Sequence, residues 1–136
     1  MTFLVERLAD VRRQLAHLEA VRPRVTERSA LVADLTLHND VMFALLTICQ
    51  GVIDIASELA ARRGVKFQDF NGAIRALAAA PGFPVDLVEQ LVPLAGFRNV
   101  VVHEYVELDY DRVIAALDGL EPVRRFVAVV AGMEAG

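Results

Sequence analysis

The stretch Val41-Met42-Phe43-Ala44-Leu45-Leu46-Thr47-Ile48-Cys49-Gln50-Gly51-Val52-Ile53 decides the fold class. It is the longest strongly apolar run in the chain, and its apolar residues sort by a helical period. Val41, Leu45, Ile48, Val52, Ile55 and Leu59 recur at spacings of four and three, the stripe of an amphipathic α-helix. The pattern extends back through Leu31, Leu35 and Leu37, which predicts one long helix. Met42, Phe43, Leu46 and Ile53 lie off the stripe and widen it into a face able to meet more than one neighbour. Such a face suits a central bundle helix or one that pairs two copies of the chain. Gln50 interrupts the run, and the run is too short to cross about 30 Å of hydrocarbon. No membrane partner is expected. Arg62, Arg63 and Gly64 supply a cationic last turn and a stop.

Outward from this helix the chain continues in the same style. Leu4, Leu8, Val11, Leu15 and Leu18 mark a leading amphipathic helix, with Thr2 as a candidate cap and Pro23 ending or bending it. A short helix is predicted over Gln68–Ala80, with Phe70, Ile74 and Leu77 facing inward. Pro81-Gly82-Phe83-Pro84 is a connector. The fourth helix starts near Val85, with Val88, Leu91, Val92 and Ala95 inward and a kink or lost hydrogen bond at Pro93. Val100, Val101 and Val102 favour a strand locally, but one short strand without partners makes no sheet, so helix is expected there. The last helix begins at Asp109 or Tyr110 and buries Val113, Leu117, Leu120, Phe126 and Val130, with Pro122 bending or dividing it. These readings sum to an all-α chain, an antiparallel bundle of about five helices in a single domain over residues 1–136. The tail from Gly132, and residues 133–136 above all, is expected to fray.

Composition narrows the function classes. Hydrophobic residues make up 55% of 136, a rich value that points to a thorough core or to apolar surface hidden in an oligomer. The formal charge of −4 weighs against a generic nucleic-acid coat, yet leaves room for one concentrated cationic site with salt-sensitive binding. Cys49 is the only cysteine, which excludes an intrachain disulfide and a cysteine metal cluster. Glu6, Arg7 and Asp10 do not suit a signal peptide, and a cytoplasmic location is expected.

Chemistry concentrates in Gly96-Phe97-Arg98-Asn99-Val100-Val101-Val102-His103-Glu104-Tyr105. A neutral imidazole takes a proton at physiological pH, and RNA carries its own nucleophile, the 2′-hydroxyl, beside each phosphate. A guanidinium holds phosphate oxygens through paired charge-assisted bonds and stabilises developing charge. Asn99 is placed to orient either group. No metal and no cofactor is needed. Five residues of separation put Arg98 and His103 about 140° apart on a straight helix. Convergence therefore needs a helix end, a distortion, or a second copy of the motif across an interface. The plainer alternative is that Arg98 caps carbonyls and His103 complements the helix dipole.

Arg98-Asn99-x-x-x-His103-x-Tyr105 resembles the Arg-x4-His-x-Tyr signature of the HEPN ribonucleases, in particular the HepT-like toxins. The likeness extends to the leading helix, to Ile53-Asp54-Ile55-Ala56 in the long helix, to the Phe70…Leu77 helix and to the Leu94–Asn99 approach. It implies a helical HEPN domain that forms a homodimer and brings two motif copies into one cleft. It also implies metal-independent cleavage of an RNA substrate, with Arg98 and His103 catalytic and Asn99 supporting. His103 would be the general base or acid on the 2′-hydroxyl, and the product would carry a 2′,3′-cyclic phosphate. Tyr105 matches the tyrosine to which a partner nucleotidyltransferase antitoxin adds AMP from ATP, silencing the toxin; whether a higher assembly with the antitoxin forms is left open by the sequence. An anionic nucleotide near His103 would block the cleft and repel phosphate. The alternative is a catalytically inactive dimer serving as an RNA- or nucleotidyltransferase-binding adaptor.

Other candidates carry less. Asp34 and His38 share a helix face, but a metal site needs three or four ligands and nothing nearby completes one. A polar first turn is the reading there. His17 reads as surface, Cys49 as core, and Asp54 as solvent-facing or bonded to a neighbouring helix. Glu104 and Glu107 modulate charge around the motif. Arg12-Arg13 and Arg124-Arg125 read as solvated faces able to add phosphate contacts.

Overall fold

In α1 (Thr2–Val21) the expected stripe is the buried one, Leu4, Leu8, Val11, Leu15 and Leu18 all facing the core of the computed structural model, which describes residues 2–102 and 109–135. Thr2 is the first residue of this helix. A short 3-10 turn, Arg22–Arg24, carries Pro23 in its first positions, where no helical N–H is lost. Next come α2 (Arg28–Ala33) and α3 (Leu35–Arg62). The sequence pattern ran through this junction, but the backbone at Asp34 is extended and its side chain accepts from the Leu37 amide at 3.0 Å. A cap here satisfies a donor at the start of α3, so the chain breaks into two helices. Leu35 consequently points to solvent and does not extend the stripe.

α3 is the central element. Val41, Leu45, Ile48, Val52, Ile55 and Leu59 are buried as expected. Off the stripe, Met42 and Ile53 are buried, whereas Phe43 remains 62% exposed. The full helix is 28 residues long, and by length and composition alone it would suit a membrane crossing. That exceeds the shorter run read from the sequence. Here most of its apolar residues are covered by α1, α2, α4 and α6. It ends in a left-handed Gly64 (φ 69°), with Gly64 N donating to Ala61 O and Val65 N to Ala60 O. This pair of bonds is a Schellman ending, for which glycine is favoured.

α1 runs antiparallel to α3: His17 meets Asp40, Val11 meets Gly51, and Arg7 meets Asp54. Gly51 permits the approach, since a Cβ there would sit 2.5 Å from Val11 Cγ2.

The predicted third helix is α4 (Phe70–Arg75), capped by Asp69 and followed by a 3-10 turn, Ala76–Ala79. Ile74 and Leu77 are buried, but Phe70 is partly exposed, against expectation. Pro93 divides the fourth helix where a kink was expected: α5 is Val85–Leu91 and α6 is Pro93–Val102. At the start of α6 proline lacks only a donor that the helix would leave unpaired. The valines Val100–Val102 are helical.

The last helix is also two, α7 (Tyr110–Asp118), capped by Asp109, and α8 (Glu121–Ala135), which carries Pro122 in its first turn. α8 is helical through Gly132 to Ala135, in the segment expected to fray. The five expected helices are thus eight α-helices among the described residues, without strands there. The three additional breaks fall at the capping Asp34 and at Pro93 and Pro122. α8 packs on α1 and α5, and the core runs continuously from α1 to α8.

Candidate functional site

α6 carries Arg98 and Asn99 past the middle of α3. Phe97 and Val101 anchor it to the core, which leaves Arg98 half-buried at the helix edge and Asn99 exposed. The guanidinium of Arg98 is held from two sides. Its Nε–H donates to Gln50 Oε1 on α3 at 3.0 Å, and its carbon lies 5.1 Å from the Phe70 ring centroid on α4. A guanidinium at that distance is attracted by the negative face of the ring. Nη1 also donates to Asn99 Oδ1 at 3.3 Å. The Nη2 donors are uncommitted among the described residues, so Arg98 presents a fixed cation with free N–H groups.

Gln50 does not act alone. Its Nε2 donates to Asp54 Oδ1 at 2.8 Å, one helical turn along α3. Arg7 of α1 stands 3.8 Å from the other Asp54 oxygen and donates to Asp10 at 3.2 Å. Three helices therefore contribute to one polar line, Arg7, Asp54, Gln50 and Arg98. Beside Arg98 a small open depression of about 260 Å³ is lined by Phe70, Asn71, Gly96 and Asn99.

His103 and Tyr105, with Glu104 and Glu107, lie outside the described residues. The sequence singled out Arg98 and Asn99, but Gln50 stood there only as an interruption of an apolar run. Phe70, expected to face inward, lies against the Arg98 guanidinium instead. The available signal is the pair of polar residues Gln50 and Asp54, four apart in the mostly apolar middle of the helix, which share a face.

The other candidates are committed elsewhere. Asp34 caps α3 with one oxygen, and its other oxygen lies 3.6 Å from Arg24. His38 packs edge-on against Tyr110, with ring centroids 5.8 Å apart. His17 is bonded to Asp40 at 2.7 Å. Burial pushes the Cys49 thiol up to about 12, which keeps it protonated and unreactive at neutral pH. Arg124 and Arg125 pair with Glu19 and Asp86, whereas Arg12 and Arg13 have no ion pair among the described residues.

With this geometry in place, the comparisons with known proteins are decisive for the family. The model of the family described as Ribonuclease HepT-like matches residues 11–130. The chain belongs to the ribonuclease HepT-like family. It is 26% identical over 129 residues to the mRNA nuclease HepT of Shewanella oneidensis, covering 93% of this chain and 95% of that one. A solved structure of the tri-AMPylated Shewanella oneidensis HEPN toxin in complex with MNT antitoxin superposes with a TM-score of 0.82. It is 24% identical and covers 97% of this chain and 98% of its own. A toxin-antitoxin structure with AMP-PNP gives a TM-score of 0.80 at 23% identity, covering 96% and 98%. At these identities the two structures establish that the HepT-like chain has the HEPN fold.

Proposed function

We propose that this HepT-like chain is a metal-independent endoribonuclease and the toxin of a toxin–antitoxin pair. The observation that carries the reading is Arg98, a half-buried guanidinium braced by Gln50 and Phe70, with Nη2 donors uncommitted among the described residues and able to take an anion. Family membership and the mRNA nuclease relative make RNA phosphate the natural anion. His103 takes the 2′-hydroxyl proton and returns a proton to the leaving 5′-oxygen, while Arg98 stabilises the phosphorane-like charge. Asn99, bonded to the Arg98 guanidinium, supports its placement. The product is a 2′,3′-cyclic phosphate with a free 5′-hydroxyl.

One copy of the motif supplies half of a cleft, and a homodimer completes it. The exposed Phe43 beside the half-buried Leu46 on α3 is in keeping with pairing of copies. Regulation falls to Tyr105, which a nucleotidyltransferase antitoxin modifies with AMP. The AMPylated toxin among the structural relatives supports this assignment. The expected site of action is the cytoplasm.

The test is to incubate unmodified protein with RNA in excess chelator. Wild type is expected to cut and leave a 2′,3′-cyclic phosphate, and His103→Ala to leave the RNA intact. Cleavage only with added metal, or undiminished in His103→Ala, overturns the mechanism. No cleavage by wild type, with RNA still bound, favours the adaptor reading. AMP added by the antitoxin to wild type but not to Tyr105→Phe, read by intact mass, tests the regulatory half.

A further inference from the structure

We propose that Gln50 and Asp54 are positioning residues for the site, a two-member relay on α3 that fixes the rotation of the Arg98 guanidinium. The inference rests on the endoribonuclease reading for its effect on turnover, but the relay itself is a geometric statement.

A guanidinium at a helix edge has several rotatable bonds and no intrinsic preferred direction. Anchoring Nε–H fixes the plane, because the fork geometry of the remaining donors follows from it. Gln50 Oε1 provides that anchor at 3.0 Å. A glutamine amide can itself flip, which would present NH2 to a cation. Asp54 prevents this: its carboxylate only accepts, so it selects the orientation in which Gln50 Nε2 donates at 2.8 Å and Oε1 faces Arg98. Arg7 is drawn towards the second Asp54 oxygen across the α1–α3 seam, and the seam is close because residue 51 is glycine. Phe70 holds the guanidinium from α4, while Nη2 is uncommitted among the described residues. The relay thus prepays part of the ordering cost of phosphate binding, which favours the transition state over loosely held substrate. Its loss should lower kcat more than it raises KM.

The experiment compares single-turnover cleavage by wild type, Gln50→Leu, Asp54→Leu and Asp54→Asn, each also in an Arg98→Lys background. Lysine keeps the charge but has no Nε–H, so nothing remains for the relay to hold. Gln50→Leu and Asp54→Leu are expected to slow cleavage roughly tenfold beside Arg98 and not at all beside Arg98→Lys. Asp54→Asn, whose oxygen still accepts from Gln50, should stay within about threefold of wild type. Equal losses in both backgrounds would mean a merely structural role and overturn the proposal, as would wild-type rates in Gln50→Leu. In parallel, the Arg98 Nε–H resonance, assigned by its absence in Arg98→Lys, should be protected from solvent exchange in wild type and unprotected in Gln50→Leu. If wild type cuts no RNA, the functional reading falls and this resonance alone decides the relay. Identical exchange in both proteins would overturn it.

Discussion

The two sides of α3 are built from the same helix and do opposite work. One side is the stripe Val41, Leu45, Ile48, Val52, Ile55, Leu59, buried and held by shape. The other carries Gln50 and Asp54, which reach Arg98 and Arg7 and are held by direction. Burial on the first side supplies stability without specifying any orientation of a polar group. Hydrogen bonds on the second side add little net stability but aim a cation. The lesson is that substitutions on one helix should separate into those that unfold the protein and those that leave it folded and misaligned.

The sharpest way to break this contrast is Ile48→Ala, at a side chain with no exposure. It should cost about 2–5 kcal/mol in urea unfolding from lost burial and the cavity left behind. Gln50→Leu, two residues along, should cost no more than about 1.5 kcal/mol in the same measurement. Similar losses at the two positions would erase the distinction.

Next in size is the seam. Gly51→Ala places a methyl against Val11 Cγ2, and the overpacking should cost about 1–3 kcal/mol by thermal or urea unfolding. Removing a cap is smaller. Asp34→Ala should cost about 1 kcal/mol and loosen the α2–α3 break, seen as faster amide exchange at Leu37. Smallest is Arg75→Ala, which breaks an exposed pair with Glu89 and should shift stability by less than about 0.5 kcal/mol.

Cys49 tests the dry side by pH. Its thiol is raised from 9.0 to about 12 in the folded chain, so the fold favours the protonated form. The associated stability is complete below the unfolded thiol pKa and is lost as pH rises through the folded one. Alkylation at neutral pH should therefore be negligible until the protein is unfolded. The alkaline decline in melting temperature should be shallower in Cys49→Ala.

The buried side of α3 was legible because periodicity is a statement about burial. The same rule carried α1, Ile74, Leu77 and the Val113…Val130 face. It failed at Leu35, where the apolar pattern continued but a capping aspartate turned the chain. It also failed at Phe70, whose ring serves a cation at a partly exposed edge. The motif singles out Arg98 and Asn99 as candidates. Their brace was not legible, because Gln50 and Arg98 are 48 residues apart and meet only when α6 packs on α3. A contact of that kind leaves no period in the sequence.

The central claim is that Arg98 is an aimed phosphate-binding cation, and it is tested most directly by Arg98→Ala. RNA cleavage in chelator should fall by about 10²–10³-fold while helicity and melting temperature stay close to wild type. Wild-type cleavage by a folded Arg98→Ala protein would contradict the account.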